Sequence, residues 1–209
     1  MSHVEEIYES VLKGVDPLLA PEGFKRSGIC FRKRLQGGNV RWCICFQKTR
    51  YSTENKSKFT LWIHAEWKRR PASYEDWEPR TTWYGGAGGR IGELMPSKED
   101  TWWDINEGTS APLLSAQINA VLGSCALPFL RQFENEENIK SYLKALANDE
   151  MEFNYPHALS MLSFDLFENK EPSVLQKAID NARRLRKINK VDGRVIEADI
   201  QRVLSSKVE

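Results

Sequence analysis

Apolar and polar residues alternate in two central stretches, Arg41-Trp42-Cys43-Ile44-Cys45-Phe46-Gln47 and Phe59-Thr60-Leu61-Trp62-Ile63-His64-Ala65. A period of two is the signature of half-buried strands. The spacing predicts a first strand over residues 29–34, a hairpin-like turn at Gly37-Gly38-Asn39, a second strand over 40–48, a polar loop over 51–56 and then a third strand. Successive side chains of a strand point to opposite faces. Val40, Trp42, Ile44 and Phe46 should therefore join Phe59, Leu61, Ile63, Ala65 and Trp67, with Ile29 and Phe31, on one core face. The other face collects Cys30, Arg32, Arg34, Arg41, Cys43, Cys45, Gln47, Lys58, Thr60, Trp62, His64 and Glu66. It is too polar for a full core and too apolar for open water, which predicts partial cover or a ligand.

Helical periodicity brackets this sheet. Ser2-x-x-Glu5 is a capping-box pattern, and Val4, Ile7, Tyr8, Val11, Leu12 and Val15 form one apolar stripe, so the chain opens with a helix. Asp16-Pro17 should end it, since proline constrains the residue before it and offers no backbone N–H. Residues 68–99 are irregular, with Pro71, Pro79 and Pro96 and the glycine-rich run Tyr84-Gly85-Gly86-Ala87-Gly88-Gly89-Arg90. That run reads as a flexible loop, with short strands expected over 80–84 and 90–95. Trp102-Trp103-Asp104-Ile105 suits a last edge strand. From Ser110 the period turns helical, with Leu114, Ile118, Val121, Leu122 and Cys125 on one stripe and Pro128 kinking or ending it. Further helices are expected over 136–147, 156–167, 172–187 and 193–204. The predicted fold class is α+β: an amino-terminal helix packed on a mainly antiparallel sheet, followed by a long helix and a carboxyl-terminal helical tail. Two parts are expected, an α+β sheet domain over 1–134 and a helical tail over 135–209, packed on it or forming a small subdomain.

A chain of 209 residues that is 41% hydrophobic is long enough to bury one sizeable core, which excludes a disordered polypeptide. No apolar run approaches the roughly 18 residues of a membrane span. The first residues, Met1-Ser2-His3-Val4-Glu5-Glu6, are acidic where a signal peptide is basic. A cytoplasmic location without membrane contact is the expectation. Four Cys are too few for a disulfide scaffold, and the pleat separates Cys43 from Cys45, so reduced thiols are expected. The net charge of +1 hides an asymmetry: residues 24–70 hold 13 Lys and Arg against Glu54 and Glu66, a local +11, whereas residues 71–110 hold 3 basic against 8 acidic residues, a local −5. All seven Trp lie between Trp42 and Trp103, so the sheet and its long loop carry every large aromatic platform.

The order of short segments adds a family resemblance. Gly23-Phe24-Lys25 with Phe31 and Arg32, then Phe46-Gln47-Lys48, residues 59–65, Arg90-Ile91-Gly92, and Trp102-Trp103-Asp104-Ile105 ahead of the long helix carry it. In that order they resemble the bacterial domain-of-unknown-function family 4304 over about residues 1–134. The resemblance implies a compact α+β domain and transfers no activity, cofactor or catalytic residue.

Candidate chemistry concentrates on the polar face. Cys30, Cys43, Cys45 and His64 are residue types that suit zinc, but Cys-x-Cys on a strand is not a knuckle spacing and no second knuckle accompanies it, so no metal is assigned. His64 and Glu66 have the form of a general base and its orienting carboxylate, with Cys43 or Cys45 as nucleophile. This hydrolase-like reading lacks any spacing that ties the residues together. The glycine run lacks the Lys-Ser or Lys-Thr pair and the following helix of a phosphate cradle, although Arg90 is placed to grip an anion. Basic and aromatic residues give the stronger lead. Arg32, Arg34, Arg41 and Lys58 surround Trp62, with Lys68, Arg69 and Arg70 beyond, a mixture that binders of single-stranded nucleic acid use, and the acidic segment 71–110 is able to fold over it. The run Arg183-Arg184-Leu185-Arg186-Lys187 at a predicted helix end is accounted for by the helix dipole. The reading that follows is a non-enzymatic bacterial interaction module that presents an aromatic and basic sheet face to a macromolecular partner, a protein ahead of a nucleic acid, with no cofactor. Its binding residues are expected to be Arg41, Gln47, Lys58, Trp62, His64, Trp83, Arg90 and Trp102.

Overall fold

A computed structural model describes residues 2–67 and 84–147, with Gln176, Asp180 and Arg183 beyond them. The helices expected over 156–167 and 193–204, Trp83, and most of the strand expected over 80–84 lie outside the described residues. The three isolated positions are helical and fall within the helix expected over 172–187. The chain divides into two compact units, one of residues 1–65 and 88–134, the other of residues 66–87 and 135–209.

The first helix, α1, spans His3–Leu19. Ser2 caps it by accepting a hydrogen bond from the Glu5 backbone N–H at 3.3 Å. Val4, Ile7, Tyr8, Val11, Leu12, Val15 and Leu19 form its buried stripe. The helix runs through Pro17 instead of stopping before it. In the last turn a proline deletes a single backbone bond, the Ala20 N–H still reaches the Asp16 carbonyl at 2.8 Å, and carrying on buries Leu19 completely.

Strands β1 (Lys25–Ser27), β2 (Cys30–Arg34) and β3 (Val40–Lys48) follow as an antiparallel set. β1 has no counterpart in the sequence reading, because three residues are too short to show a period. Its pairing with β2 through Ser27 and Cys30 leaves Gly28 and Ile29 as the turn. Ile29 therefore does not join the core face as expected and is 46% exposed. The β2–β3 register opposes Phe31 to Ile44 on one face, and Cys30 to Cys45, Arg32 to Cys43 and Arg34 to Arg41 on the other. Strand β4 (Lys56–Trp67) lies next to β3, and both β5 (Tyr84–Arg90) and β6 (Trp103–Asn106) pair with it. The glycine-rich run is thus a strand and not a flexible loop, and residues 91–94 form a helical turn, α2 (Ile91–Leu94), where a strand was expected. Glycines carry no hydropathy signal, so backbone pairing decided what periodicity could not. β4 and β5 continue from the first unit into the second at Glu66 and Ala87.

Tyr8 from α1 and Phe31, Phe46 and Phe59 from the strands make the centre of the core in the first unit. Phe59 stacks on Phe46 and on Trp103, each at 5.7 Å between ring centroids, and meets Tyr8 edge-on at 5.4 Å. The Tyr8 hydroxyl donates to the Phe46 carbonyl at 2.9 Å, so this buried polar atom is satisfied. Burial raises the Tyr8 pKa well above its ordinary value, with the Glu5 charge adding to the shift.

A 20-residue helical run, Ala111–Leu130, closes the first unit; by length and composition it could cross a membrane. Its buried stripe of Leu114, Ile118, Leu122, Ala126, Leu127 and Leu130 marks it as a core helix. It consists of α3 (Ala111–Val121), a π-helical turn (Leu122–Ala126) and α4 (Leu127–Leu130). Pro128 does not end it: the Leu127 N–H bonds the Leu122 carbonyl five residues back. This wider turn accommodates a residue that has no N–H of its own to give. The Trp42 indole N–H then donates to the Phe133 carbonyl at 2.8 Å, fastening the end of this run to β3. In the second unit, α5 (Glu136–Ala147) buries Ile139, Leu143 and Leu146, and occupies the residues expected for a helix.

At Gly14, α1 packs tightly against α3. A Cβ built on Gly14 would lie 2.6 Å from the Ser115 Cβ. The Asn119 side-chain amide donates to the Gly14 carbonyl at 3.0 Å. Gly14→Ala is expected to destabilise the fold by about 1–2 kcal/mol, because overpacking of 1–3 kcal/mol outweighs the gain in helix propensity of up to about 1 kcal/mol. Chemical denaturation checks this, and adding Ser115→Gly should recover most of the loss, since the two positions share one contact.

Candidate functional site

The loop between β3 and β4 is a short hydroxyl-rich turn held by its own side chains. The Thr49 N–H bonds the Lys58 carbonyl at 2.8 Å, and the Thr53 N–H bonds the Lys56 carbonyl at 2.7 Å. The Thr49 hydroxyl accepts from the Tyr51 N–H at 2.9 Å, and the Ser52 and Ser57 hydroxyls share a hydrogen bond of 3.1 Å. With its backbone fixed in this way, Tyr51 projects its ring into solvent and is 75% exposed. The Arg50 guanidinium lies 4.9 Å from the centroid of that ring.

Trp102 is set from the other side. The segment before β6 crosses the polar face of β4, where the buried Thr60 hydroxyl donates to the Thr101 carbonyl at 2.8 Å. The Trp102 indole N–H donates to Asp100 at 2.8 Å, and Asp100 also pairs with Arg90 at 3.1 Å. The Arg90 guanidinium lies 5.2 Å from the Trp102 ring and the Lys58 ammonium 5.9 Å, both within cation–π range. Arg90 stands at the start of α2, where the Glu93 carboxylate accepts from its backbone N–H; burial raises the Glu93 pKa and this bond partly offsets the shift.

Between these two rings lies a groove of about 470 Å³ lined by Thr49, Tyr51, Lys56, Lys58, Trp102 and Asp104. The β4–β6 register places Lys58 directly opposite Asp104, and Lys56 on the same face forms a 3.5 Å ion pair with it. The site is therefore two aromatic surfaces, two lysines and one carboxylate, on a floor of paired strands.

Of the expected binding residues, Lys58 and Trp102 line this groove and Arg90 stacks beside it. Arg41 does not join them: it faces Arg34 in the β2–β3 pair. Gln47 is exposed near the end of β3, and Trp62 and His64 are half-buried further along β4, beyond Thr60. Trp83 lies outside the described residues. Tyr51, Lys56, Thr49 and Asp104 were missed. A sequence signal existed for two of them: Lys56 and Lys58 share a strand face by parity, and Tyr51 is an aromatic residue within an otherwise polar turn.

The cysteines differ from expectation. Cys30 and Cys45 form a disulfide, with 4.1 Å between their Cα atoms, because the register sets them directly opposite each other. Two of the four residues weighed as zinc ligands are thereby bonded to one another. Within the first unit, Cys43 and His64 bring their ligand atoms to within 4.8 Å. Cys43 is 1% exposed, which closes its sulfur to a substrate.

Fold and groove together define an α+β sheet domain with an aromatic and cationic groove beside β4 and β6. The chain belongs to the family described as a domain of unknown function, DUF4304, whose profile matches residues 15–132. No curated protein and no solved structure matches the chain.

Proposed function

We propose that this chain is a non-enzymatic binding module of the bacterial cytoplasm that presents the groove between Tyr51 and Trp102 to a macromolecular partner. The observation that carries this reading is Tyr51 itself. Its large ring is held out in solvent by a rigid turn, across a concave surface from Trp102, with cations over both rings. Exposed aromatics beside Arg and Lys are what binding hot spots are made of, and the core gains nothing from Tyr51. The fold does not depend on the Cys30–Cys45 disulfide, which a reducing cytoplasm would open to two thiols. The aromatic core lies on the opposite face of the sheet and holds the fold without it.

The test is native purification from the cells that make the protein. The wild-type chain should carry a specific macromolecule with it, the Tyr51→Ala/Trp102→Ala variant should lose it, and Lys25→Ala, on exposed β1, should keep it. A companion retained by the double variant, or no companion at all, rejects the reading.

A further inference from the structure

We infer that the groove takes single-stranded nucleic acid, with an unpaired base stacked on Trp102 or Tyr51 and its flanking phosphates held by Lys56, Lys58 and Arg50. The inference rests on the binding-module reading and names the partner.

Three features of the site select this occupant. The first is the pairing of flat rings with cations. Arg50 accompanies Tyr51, and Lys58 and Arg90 accompany Trp102, all within 4.9 to 5.9 Å of the ring centroids. A base lying on either ring sets its own phosphate within reach of a positive side chain, the arrangement that sheet domains use for single strands. An acidic peptide would use the cations and leave both rings idle.

The second feature is the charge of the groove. Arg50, Lys56 and Lys58 against Asp104 leave a local +2, and the adjoining Arg90 and Asp100 neutralise each other in their ion pair. An anionic chain is attracted, yet Asp104 repels a phosphate placed directly on it. The carboxylate instead suits a hydrogen-bond donor, such as the exocyclic amine of a base or a ribose hydroxyl. A ligand that carries donors and phosphates on one short repeat meets both demands.

The third is size. At about 470 Å³ the groove falls in the range of small-molecule sites, room for one or two nucleotides and far too small for a duplex. Stacking on Tyr51 also needs a base face that a duplex keeps covered.

Fluorescence anisotropy with labelled 12-nucleotide RNA and DNA single strands, and a duplex of the same sequence, tests the inference on the full chain. Binding is expected at 50 mM salt, weaker for the duplex. Its log–log salt slope should be about −1.4 to −2.1, as neutralising two or three phosphates of a single strand requires. Tyr51→Ala and Trp102→Ala should each weaken binding about 5- to 150-fold, the range for loss of one base stack, whereas Trp102→Phe keeps most of the affinity. Lys58→Ala should reduce the slope by about 0.7. Circular dichroism of each variant confirms the fold, and Tyr51, being exposed, is removable without harm to it. Absence of binding at 50 mM salt, or binding indifferent to both aromatic substitutions, overturns the inference. If a protein then co-purifies with the native chain and is lost from the double variant, the binding-module reading survives and only the nucleic-acid assignment fails.

Discussion

Phe59→Ala should lower the free energy of unfolding by about 3–5 kcal/mol, the range for emptying a buried phenyl site. Phe59 is wholly buried and touches three rings from three different elements: Tyr8 of α1, Phe46 of β3 and Trp103 of β6. Each neighbour is itself anchored. Tyr8 is tied to the Phe46 carbonyl, and Trp103 is held by its backbone register opposite Phe59. A ring cluster pinned at its margins cannot collapse into the space left behind, which puts the expected loss toward the upper end. Since typical domains have about 5–15 kcal/mol in hand, this single change brings the fold near its limit. Phe59→Leu, which keeps most of the volume, should cost under about 1.5 kcal/mol. Guanidinium titrations followed by far-ultraviolet circular dichroism measure both. A loss below about 1 kcal/mol for the alanine variant would mean that the cluster is not the centre of the core.

The same cluster shows what could be read from the chain and what could not. Parity alone placed Phe46, Phe59, Leu61 and Ile63 on one face and Thr60, Trp62 and His64 on the other, and burial agrees except at Thr60, which the segment at Thr101 covers. Parity holds because the pleat allows no other arrangement once a strand is extended. It does not set which residue faces which across the pair. The turn at Gly37 and Gly38 could have done so, since a loop centred there opposes Cys30 to Cys45, and the disulfide follows from that register. Other errors have different physical sources. Pro17 and Pro128 were given more weight as breakers than a last turn and a π-turn require. The groove was half legible. Lys58 and Trp102 were recognisable by type, but their meeting with Tyr51 depends on a segment more than forty residues further along folding back over Thr60. No local pattern encodes such a contact, and the basic face around Arg41 and Trp62 drew attention instead.

Gly88→Ala should be about as damaging as the loss of Phe59, for a reason that lies in the backbone. Gly88 has φ of +153°, a region that L-residues rarely enter. A Cβ there would also stand 2.6 Å from both Cα and Cβ of His64 in the neighbouring strand, and would strike the Ile63 carbonyl oxygen. Backbone strain of about 1–3 kcal/mol adds to overpacking of about 1–3 kcal/mol, and neither is relieved by a rotamer change, because the obstructing atoms are largely main chain. The expected loss is about 2–6 kcal/mol, read as a shift of the denaturation midpoint at unchanged slope. Gly123→Ala is the matched control: nothing lies within 4 Å of a Cβ built at that helical position, so it should be neutral or stabilising by up to about 1 kcal/mol. A functional consequence follows from where Gly88 sits. Two residues later β5 delivers Arg90 to the Trp102 ring and to Asp100. Displacing β5 from β4 moves the cation away from the groove. A Gly88→Ala protein that still folds at low temperature should therefore lose part of its ligand affinity, whereas Gly123→Ala should retain all of it. Equal stability of the two variants would show that β5 does not approach β4 as closely as the backbone at Gly88 implies.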